Sequence, residues 1–211
     1  MNINTVLFDL DGTLIDTNEL IYVSFKYTFE KYGYSFSKEE ILHFNGPPLI
    51  DTFIQVNAEK ANDMLQTYRE HNFEHHNELV SVFPNVIETL DCLKENGIKM
   101  GIVSTKMRNG VELGLEVTGL KSYFDSIISL DDVHNAKPHP EPVLKGMKEL
   151  NGSPETTIMV GDNYQDIESG KNAGVKTAGV AWSLKGVDLL KQYHPTYILE
   201  DMRDLIPIIE V

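Results

Sequence analysis

Short, continuously apolar runs recur along this chain, and each is followed by a stretch with helical character. A run without polar alternation indicates a strand buried on both faces, as in a parallel sheet covered by helices. Alternation of such strands with helices predicts an α/β fold with a doubly wound parallel sheet. The apolar runs are at 5–8, 100–103, 126–129, 157–160 and 177–181, with a weaker one at 197–199.

One long segment between the first two runs interrupts this pattern. Residues 17–79 contain no run of strand type and show helical patterns at 19–31, 38–44 and 58–72. This segment is far longer than a single crossover connection requires. We therefore predict a helical cap domain over 17–79, inserted into a core domain formed by 1–16 and 80–211.

The charge balance limits the classes of partner. The 211 residues carry a formal net charge of −14, which disfavours binding to nucleic acids or anionic membranes because both attract clustered Lys and Arg. The single cysteine, Cys92, cannot form an intramolecular disulfide, and the sequence shows neither a leader peptide nor a long apolar segment. These features predict a cytoplasmic protein without a membrane anchor. The oligomeric state is not indicated by the sequence.

The first apolar run ends in two closely spaced carboxylates, Asp9 and Asp11, which are followed by Gly12. Binding sites in open α/β sheets form at the carboxyl ends of strands, where both side chains can face one site. Two neighbouring carboxylates repel each other and favour a cation between them. The alternative, that both are loop residues making Asx turns, suits a single aspartate better than a pair.

Three further strand ends carry groups suited to phosphate or metal binding. The second run is followed by hydroxyls and a helix start, the third by a lysine next to prolines, and the fourth by two more carboxylates. Each has an ordinary alternative, namely a helix cap, a surface lysine or a first-turn helix residue. In one parallel sheet these ends converge, which favours phosphoryl transfer with Mg²⁺. The residues concerned are Ser104, Thr105, Lys106, Lys137, Asp162 and Asp166.

In their order and context, these motifs resemble those of phosphatases of the haloacid dehalogenase (HAD) superfamily. The resemblance covers the full length and is carried by Asp9-x-Asp11-Gly-Thr, Ser104, Lys137 and Gly161-Asp162-x-x-x-Asp166. The predicted cap domain lies between the first and second motifs, which is similar to the C1 cap type. The resemblance implies a HAD core with a C1 cap and a phosphohydrolase activity.

The resemblance also implies a role for each motif residue. Asp9 would be the nucleophile that forms an aspartyl phosphate, and Asp11 would act first as a general acid and then as a general base. Mg²⁺ would be held by Asp9, the backbone carbonyl of Asp11, and Asp162. The groups implied to bind the transferring phosphoryl group are Ser104, Thr105 and Lys137, and those implied to orient metal waters or Lys137 are Asp166 and Asn163.

Substrate choice in the superfamily depends on the cap. The loop Asn45-Gly46-Pro47-Pro48 is stiff and exposes backbone groups, so it either presses against a small substrate or simply connects two helices. Together with the runs at 14–20, 71–76 and 179–182, it resembles the HAD-type inorganic pyrophosphatases of Firmicutes. That resemblance implies pyrophosphate as the substrate. The residues expected to select it are Asn45, Gly46, Pro47 and Lys106, with Arg69 as a second cationic candidate for the distal phosphate.

Two alternatives remain open. A phosphoglycolate or small sugar-phosphate phosphatase would share the core and would differ in its cap and in the size of its pocket. A non-catalytic HAD-like regulatory protein would be expected to lack at least one motif residue, and here all of them are present.

The adjacent histidines His75 and His76 invite a metal-binding interpretation. On a helix, however, neighbouring side chains point about 100° apart, so both cannot easily bind one ion. We expect these two residues to lie on the cap surface or near the hinge.

Overall fold

The computed structural model describes residues 2–44 and 47–209. The strands are β1 (Thr5–Phe8), β2 (Ile15–Asp16), β3 (Ser81–Val82), β4 (Lys99–Val103), β5 (Ser126–Ile128), β6 (Thr157–Gly161), β7 (Lys176–Val180) and β8 (Tyr197–Leu199). The helices are α1 (Asn18–Lys31), α2 (Lys38–His43), α3 (Leu49–Asn57), α4 (Ala61–Leu79), α5 (Val86–Glu95), α6 (Arg108–Val117), α7 (Glu141–Glu149), α8 (Tyr164–Asn172), α9 (Val187–Gln192) and α10 (Leu205–Ile209). Among the helices of the described ranges, none combines the length and apolar character needed to cross a bilayer.

The central sheet has six parallel strands in the order β5-β4-β1-β6-β7-β8. From β1 the chain builds one side of the sheet through β4 and β5, and it then crosses back to build the other side from β6. Every residue of β1 and β6 is buried, as expected for strands covered on both faces. This confirms the predicted α/β doubly wound fold, and it places a topological switch point beside β1, where ligands bind in such sheets.

Helices α1 to α4 occupy the segment between β2 and β3, which we call the helical insert (residues 18–79). They enclose an apolar cluster of their own, formed by Phe25, Phe29, Ile41, Phe53, Ala61, Met64 and Tyr68. Strands β2 and β3 pair antiparallel at the two ends of the insert, with Ile15 opposite Val82 and Asp16 opposite Ser81. The division into two domains at residues 17 and 79 stays a prediction.

The helices of the insert differ in part from the pattern predicted from sequence. The third predicted helix, at 58–72, corresponds to α4, which begins at Ala61 and continues to Leu79. Helix α3 was not predicted, because alternate positions carry β-branched residues such as Ile50, Thr52 and Ile54, which lower helix propensity. Burial of Thr52 and Phe53 against the apolar cluster outweighs that local preference.

The packing of the insert generates a test of its stability. Phe53 is fully buried, whereas its neighbour Ile54 is 48% exposed. We expect Phe53→Ala to lower the free energy of unfolding by about 3–5 kcal/mol, because it removes buried apolar surface and leaves a cavity. Ile54→Ala is the matched control and should change it by less than about 1 kcal/mol. Urea unfolding measures both, and equal losses would contradict the assigned packing.

Candidate active site

The carboxyl ends of β1, β4 and β6, together with the loop after β5, surround a cavity of about 190 Å³, which we call the strand-end cavity. The helical insert supplies its opposite wall through α1, α3 and α4. The structure brings eleven residues predicted from sequence onto its lining, and these are Asp9, Asp11, Pro47, Arg69, Ser104, Thr105, Lys106, Lys137, Asp162, Asn163 and Asp166. Asn45 and Gly46 lie outside the described residues.

Lys137 is the centre of this site. It is only 5% exposed, so the alternative of a surface lysine is wrong. Its Nζ donates hydrogen bonds to Asp9 Oδ1 at 2.7 Å, to Asp166 Oδ1 at 2.6 Å and to the backbone carbonyl of Val103 at 2.8 Å. Burial alone would lower the pKa of Lys137, but the charges of Asp166 and Asp9 outweigh it and raise that pKa. Lys137 is therefore a permanent cation with all three of its protons engaged.

Asp166 is held by the start of α8. Asn163 is the N-cap residue of that helix, and its backbone N–H donates to Asp166 Oδ2 at 2.9 Å in a capping box. Because Oδ1 accepts from Lys137, both oxygens of Asp166 are already engaged. A Cβ atom at Gly161 would overlap the side chain of Asp166, so this position admits no side chain without a local shift. Asp166 is thus placed to orient Lys137.

Asp9, Asp162 and Asp166 form a buried carboxylate cluster in which one oxygen of each lies within 4.8 Å of the others. Burial raises the pKa of Asp9 to about 7 even though Lys137 opposes the shift, and burial with the charge of Asp9 raises the pKa of Asp162 well above its usual value. Clustered carboxylate oxygens are the donors that Mg²⁺ prefers, so the residues present fit this ion. Asp11 contributes no carboxylate to the cluster, and its backbone carbonyl as a ligand stays a prediction.

The turn after β1 brings these groups close together. Gly12 has a positive φ of 84°, and a Cβ atom there would lie 2.5 Å from Asp162 Oδ2. An L-residue with a side chain would therefore be strained in its backbone and would also push Asp162 away. Glycine at this position lets the β1 turn approach the end of β6.

The second aspartate of the β1 turn faces a cation. Lys106 Nζ lies 3.0 Å from Asp11 Oδ1, and both side chains are largely buried. The backbone N–H of Lys106 donates to Ser104 Oγ at 3.1 Å, which fixes the hydroxyl at the end of β4. The segment after β4 thus combines a hydroxyl, backbone amides and a cation beside Asp11, a combination suited to binding an anion.

Comparisons with known proteins show to which family the chain belongs. The profile described as Haloacid dehalogenase-like hydrolase matches residues 6–180. The chain belongs to this family. Two similar relatives bear the name Pyrophosphatase PpaX: one from Oceanobacillus iheyensis is 56% identical and covers 99% of this chain and 98% of its own length. The other, from Anoxybacillus flavithermus, is 51% identical and covers 100% of this chain and 99% of its own length.

Solved structures place the fold in the same haloacid dehalogenase-like family. A haloacid dehalogenase-like family hydrolase from Streptococcus pneumoniae superposes with a TM-score of 0.87 at 25% identity, and the match covers 97% of each chain. This match spans both the parallel sheet and the helical insert, because it extends over nearly the whole chain.

The insert side of this haloacid dehalogenase-like hydrolase holds functional candidates that sequence reasoning missed. Asn72 was not singled out, and His76 was expected on the surface or near the hinge, yet both line the strand-end cavity and His76 is 0% exposed. Burial excludes the cap surface for His76, whereas its position three residues before the end of α4 at Leu79 agrees with a place near the predicted hinge. The spacing of these residues could have indicated their position. Arg69, Asn72 and His76 follow each other by three and four residues, so they share one face of α4.

The Lys137 contacts generate a second test. In EDTA at pH 8, we expect Lys137→Met to lower the free energy of unfolding by about 3–5 kcal/mol, because it leaves buried carboxylates without their cation. The pKa of Asp9, already raised to about 7, would rise further in the variant. The difference in free energy of unfolding between the unmodified protein and the variant should therefore shrink as the pH falls towards 5 and Asp9 takes up a proton.

Lys106→Met is the matched control for this test, because it removes a cation that is less buried. We expect Lys106→Met to lower the free energy of unfolding by about 1 kcal/mol. Urea unfolding at several pH values measures both variants, and a Lys137→Met deficit that is small or independent of pH would contradict the electrostatic role of Lys137.

Proposed function

We propose that this HAD-family hydrolase is a Mg²⁺-dependent inorganic pyrophosphatase that hydrolyses pyrophosphate to two phosphates through an aspartyl phosphate on Asp9. The observation that carries the proposal is the buried Lys137, which neutralises Asp9 and occupies only one of its oxygens. Relatives named Pyrophosphatase PpaX, similar over nearly the full length, support pyrophosphate as the substrate. The small volume of the strand-end cavity, about 190 Å³, agrees with a compact substrate.

In the first step, Asp9 attacks one phosphorus atom of pyrophosphate. We call the phosphoryl group that is attacked the inner one and the group that departs the outer one. Its Oδ1 is held by Lys137, and its Oδ2 accepts no hydrogen bond from any residue that the structure describes. A bond forms between Asp9 Oδ2 and phosphorus, while the bridging P–O bond breaks and its electrons pass to the outer phosphate. Lys137 offsets the repulsion between Asp9 and the phosphoryl oxygens, and Ser104 with Thr105 binds those oxygens.

Asp11 handles the protons of both steps. In the first step it donates a proton to the departing phosphate, and in the second it accepts one from the water that attacks the aspartyl phosphate. The P–O bond to Asp9 then breaks, which frees the carboxylate and releases the second phosphate. Lys106, 3.0 Å from Asp11 Oδ1, orients this carboxyl group within the cavity.

Mg²⁺ would be held by Asp9, Asp162 and the backbone carbonyl of Asp11, and when bound it supplies positive charge for the phosphoryl oxygens. Asp166 would orient this arrangement through Lys137, and Asn163 through its capping contact with Asp166. The helical insert acts as the cap domain, and Pro47 on the lining belongs to the loop that limits substrate size.

A small organic phosphate is a second candidate substrate, and one observation favours it. The insert wall of the strand-end cavity carries many apolar side chains, among them Ile21, Phe25, Phe44, Leu49 and Ile50. Such a wall suits a carbon-containing group better than a second phosphate. A phosphatase acting on phosphoglycolate or on a sugar phosphate would use the same residues of the core.

Phosphate release with Mg²⁺ separates these candidates. The panel contains pyrophosphate, phosphoglycolate, glucose phosphates and p-nitrophenyl phosphate, and we expect pyrophosphate to have the highest kcat/KM. Asp9→Asn should lower its turnover by about 10⁴-fold or more while the fold is retained, because the nucleophile is lost. The matched control, Asp51→Asn on the exposed surface of α3, should keep full activity. A preference for an organic phosphate would overturn the substrate assignment, and an active Asp9→Asn variant would refute the covalent mechanism.

Metal binding has a readout that does not depend on turnover. We expect millimolar Mg²⁺ to raise the melting temperature by several degrees, because a ligand that binds only the folded state stabilises it by about 2.7 kcal/mol at one hundred times its Kd. Asp162→Asn should abolish this shift, whereas Asp188→Asn, an exposed aspartate outside the cavity, should preserve it. Thermal scans in EDTA and in Mg²⁺ measure the effect, and an equal shift in the Asp162→Asn variant would reject the assigned metal site.

A further inference from the structure

Helix α4 presents a polar stripe to the strand-end cavity. Arg69, Asn72 and His76 are separated by three and four residues, so they share one face of the helix. All three line the cavity from the insert side, where most neighbouring side chains are apolar. A polar stripe inside an apolar wall marks the place where a substrate would present polar groups to the insert.

Among the lining cations that the structure describes, Arg69 differs from the two lysines in its contacts. The Lys and Arg side chains on the lining are Arg69, Lys106 and Lys137. Lys137 has its three protons engaged, and Lys106 pairs with Asp11. The guanidinium of Arg69 makes no hydrogen bond or ion pair to any side chain that the structure describes. Arg69 is exposed to solvent on this lining. In a chain of net charge −14, such a guanidinium is suited to an anionic ligand that enters the cavity.

His76 supplies an independent observation. Its side chain is fully buried, and neither Nδ1 nor Nε2 finds a hydrogen-bond partner within residues 2–44 and 47–209. Buried polar atoms rarely stay unpaired in folded proteins, because the missing hydrogen bond is not compensated by water. His76 lines the same cavity as Lys106 and Asp11, so its imidazole is placed to meet a ligand bound there.

We propose that Arg69, Asn72 and His76 form a second anion subsite that binds the outer phosphoryl group of a diphosphate while Asp9 attacks the inner one. The inference rests on the proposed function and deepens it by assigning the residues that recognise the second phosphate. Arg69 binds two of its oxygens at once, and Asn72 and His76 add neutral N–H donors. p-Nitrophenyl phosphate carries no second anionic group, so it gains nothing from the subsite.

The test compares two substrates in two variants of Arg69. Arg69→Gln should lower kcat/KM for pyrophosphate by about 10- to 100-fold, mainly through KM, because a charge-assisted bidentate contact is lost. For p-nitrophenyl phosphate the change should stay within about twofold, and Arg69→Lys should restore part of the pyrophosphate activity. Lys60→Gln, which removes the same charge from an exposed position just before α4, is the matched control and should change neither substrate.

Equal losses for both substrates, or no loss for pyrophosphate, would overturn the subsite. A binding measurement separates this failure from failure of the proposed function. In an Asp9→Asn background with Mg²⁺, calorimetry should show that imidodiphosphate binds more tightly than phosphate, and Arg69→Gln should remove the difference. If pyrophosphate is not hydrolysed but this Arg69-dependent binding is present, the result supports the subsite and contradicts the proposed function. If pyrophosphate is hydrolysed and the binding is independent of Arg69, the result supports the proposed function and contradicts the subsite.

Discussion

The buried ammonium group of Lys137 is the interaction on which the rest of the site depends. It joins Asp9 after β1, the carbonyl of Val103 at the end of β4 and Asp166 in α8, while its own backbone belongs to the loop after β5. Without this cation, the largely buried carboxylates gathered at neighbouring strand ends would repel each other. A single side chain therefore fixes the relative positions of four segments that are far apart in sequence.

Close approach of the carboxylates also depends on missing side chains. At Gly12 a Cβ atom would meet the carboxylate of Asp162, and at Gly161 it would meet that of Asp166. The two glycines thus remove volume where the site concentrates negative charge, and Lys137 supplies the opposite charge. The arrangement of this site is set by electrostatics and by space together, because neither the cation nor the glycines alone would allow the cluster to form.

The core half of the site could be predicted from the sequence, whereas on the insert half only Pro47 and Arg69 were predicted. Asp9, Lys137 and Asp162 follow buried strands, and strands of one parallel sheet end at one edge, so local pattern is enough to bring them together. The burial of His76 depends on how α4 packs over the sheet. The spacing of Arg69, Asn72 and His76 indicates a shared helix face, but it does not indicate what that face meets. Helix α3 was missed because packing around Phe53 outweighs weak local propensity. The ion pair between Lys106 and Asp11, 95 residues apart, likewise depends on tertiary structure.

The short pairing of β2 with β3 has a consequence for how the chain is assembled. Because Ile15 lies opposite Val82 and Asp16 opposite Ser81, the segment of α1 to α4 leaves the core and returns to it at one place. The N–H of Phe83 also donates to the carbonyl of Leu14 at 3.0 Å, which closes the junction on the core side. A segment whose ends meet in this way can be lengthened, shortened or replaced without changing the strand order beneath it. Under the proposed mechanism, the reacting groups lie at the strand ends, so a change of the insert would alter the wall that faces the substrate and leave those groups in place.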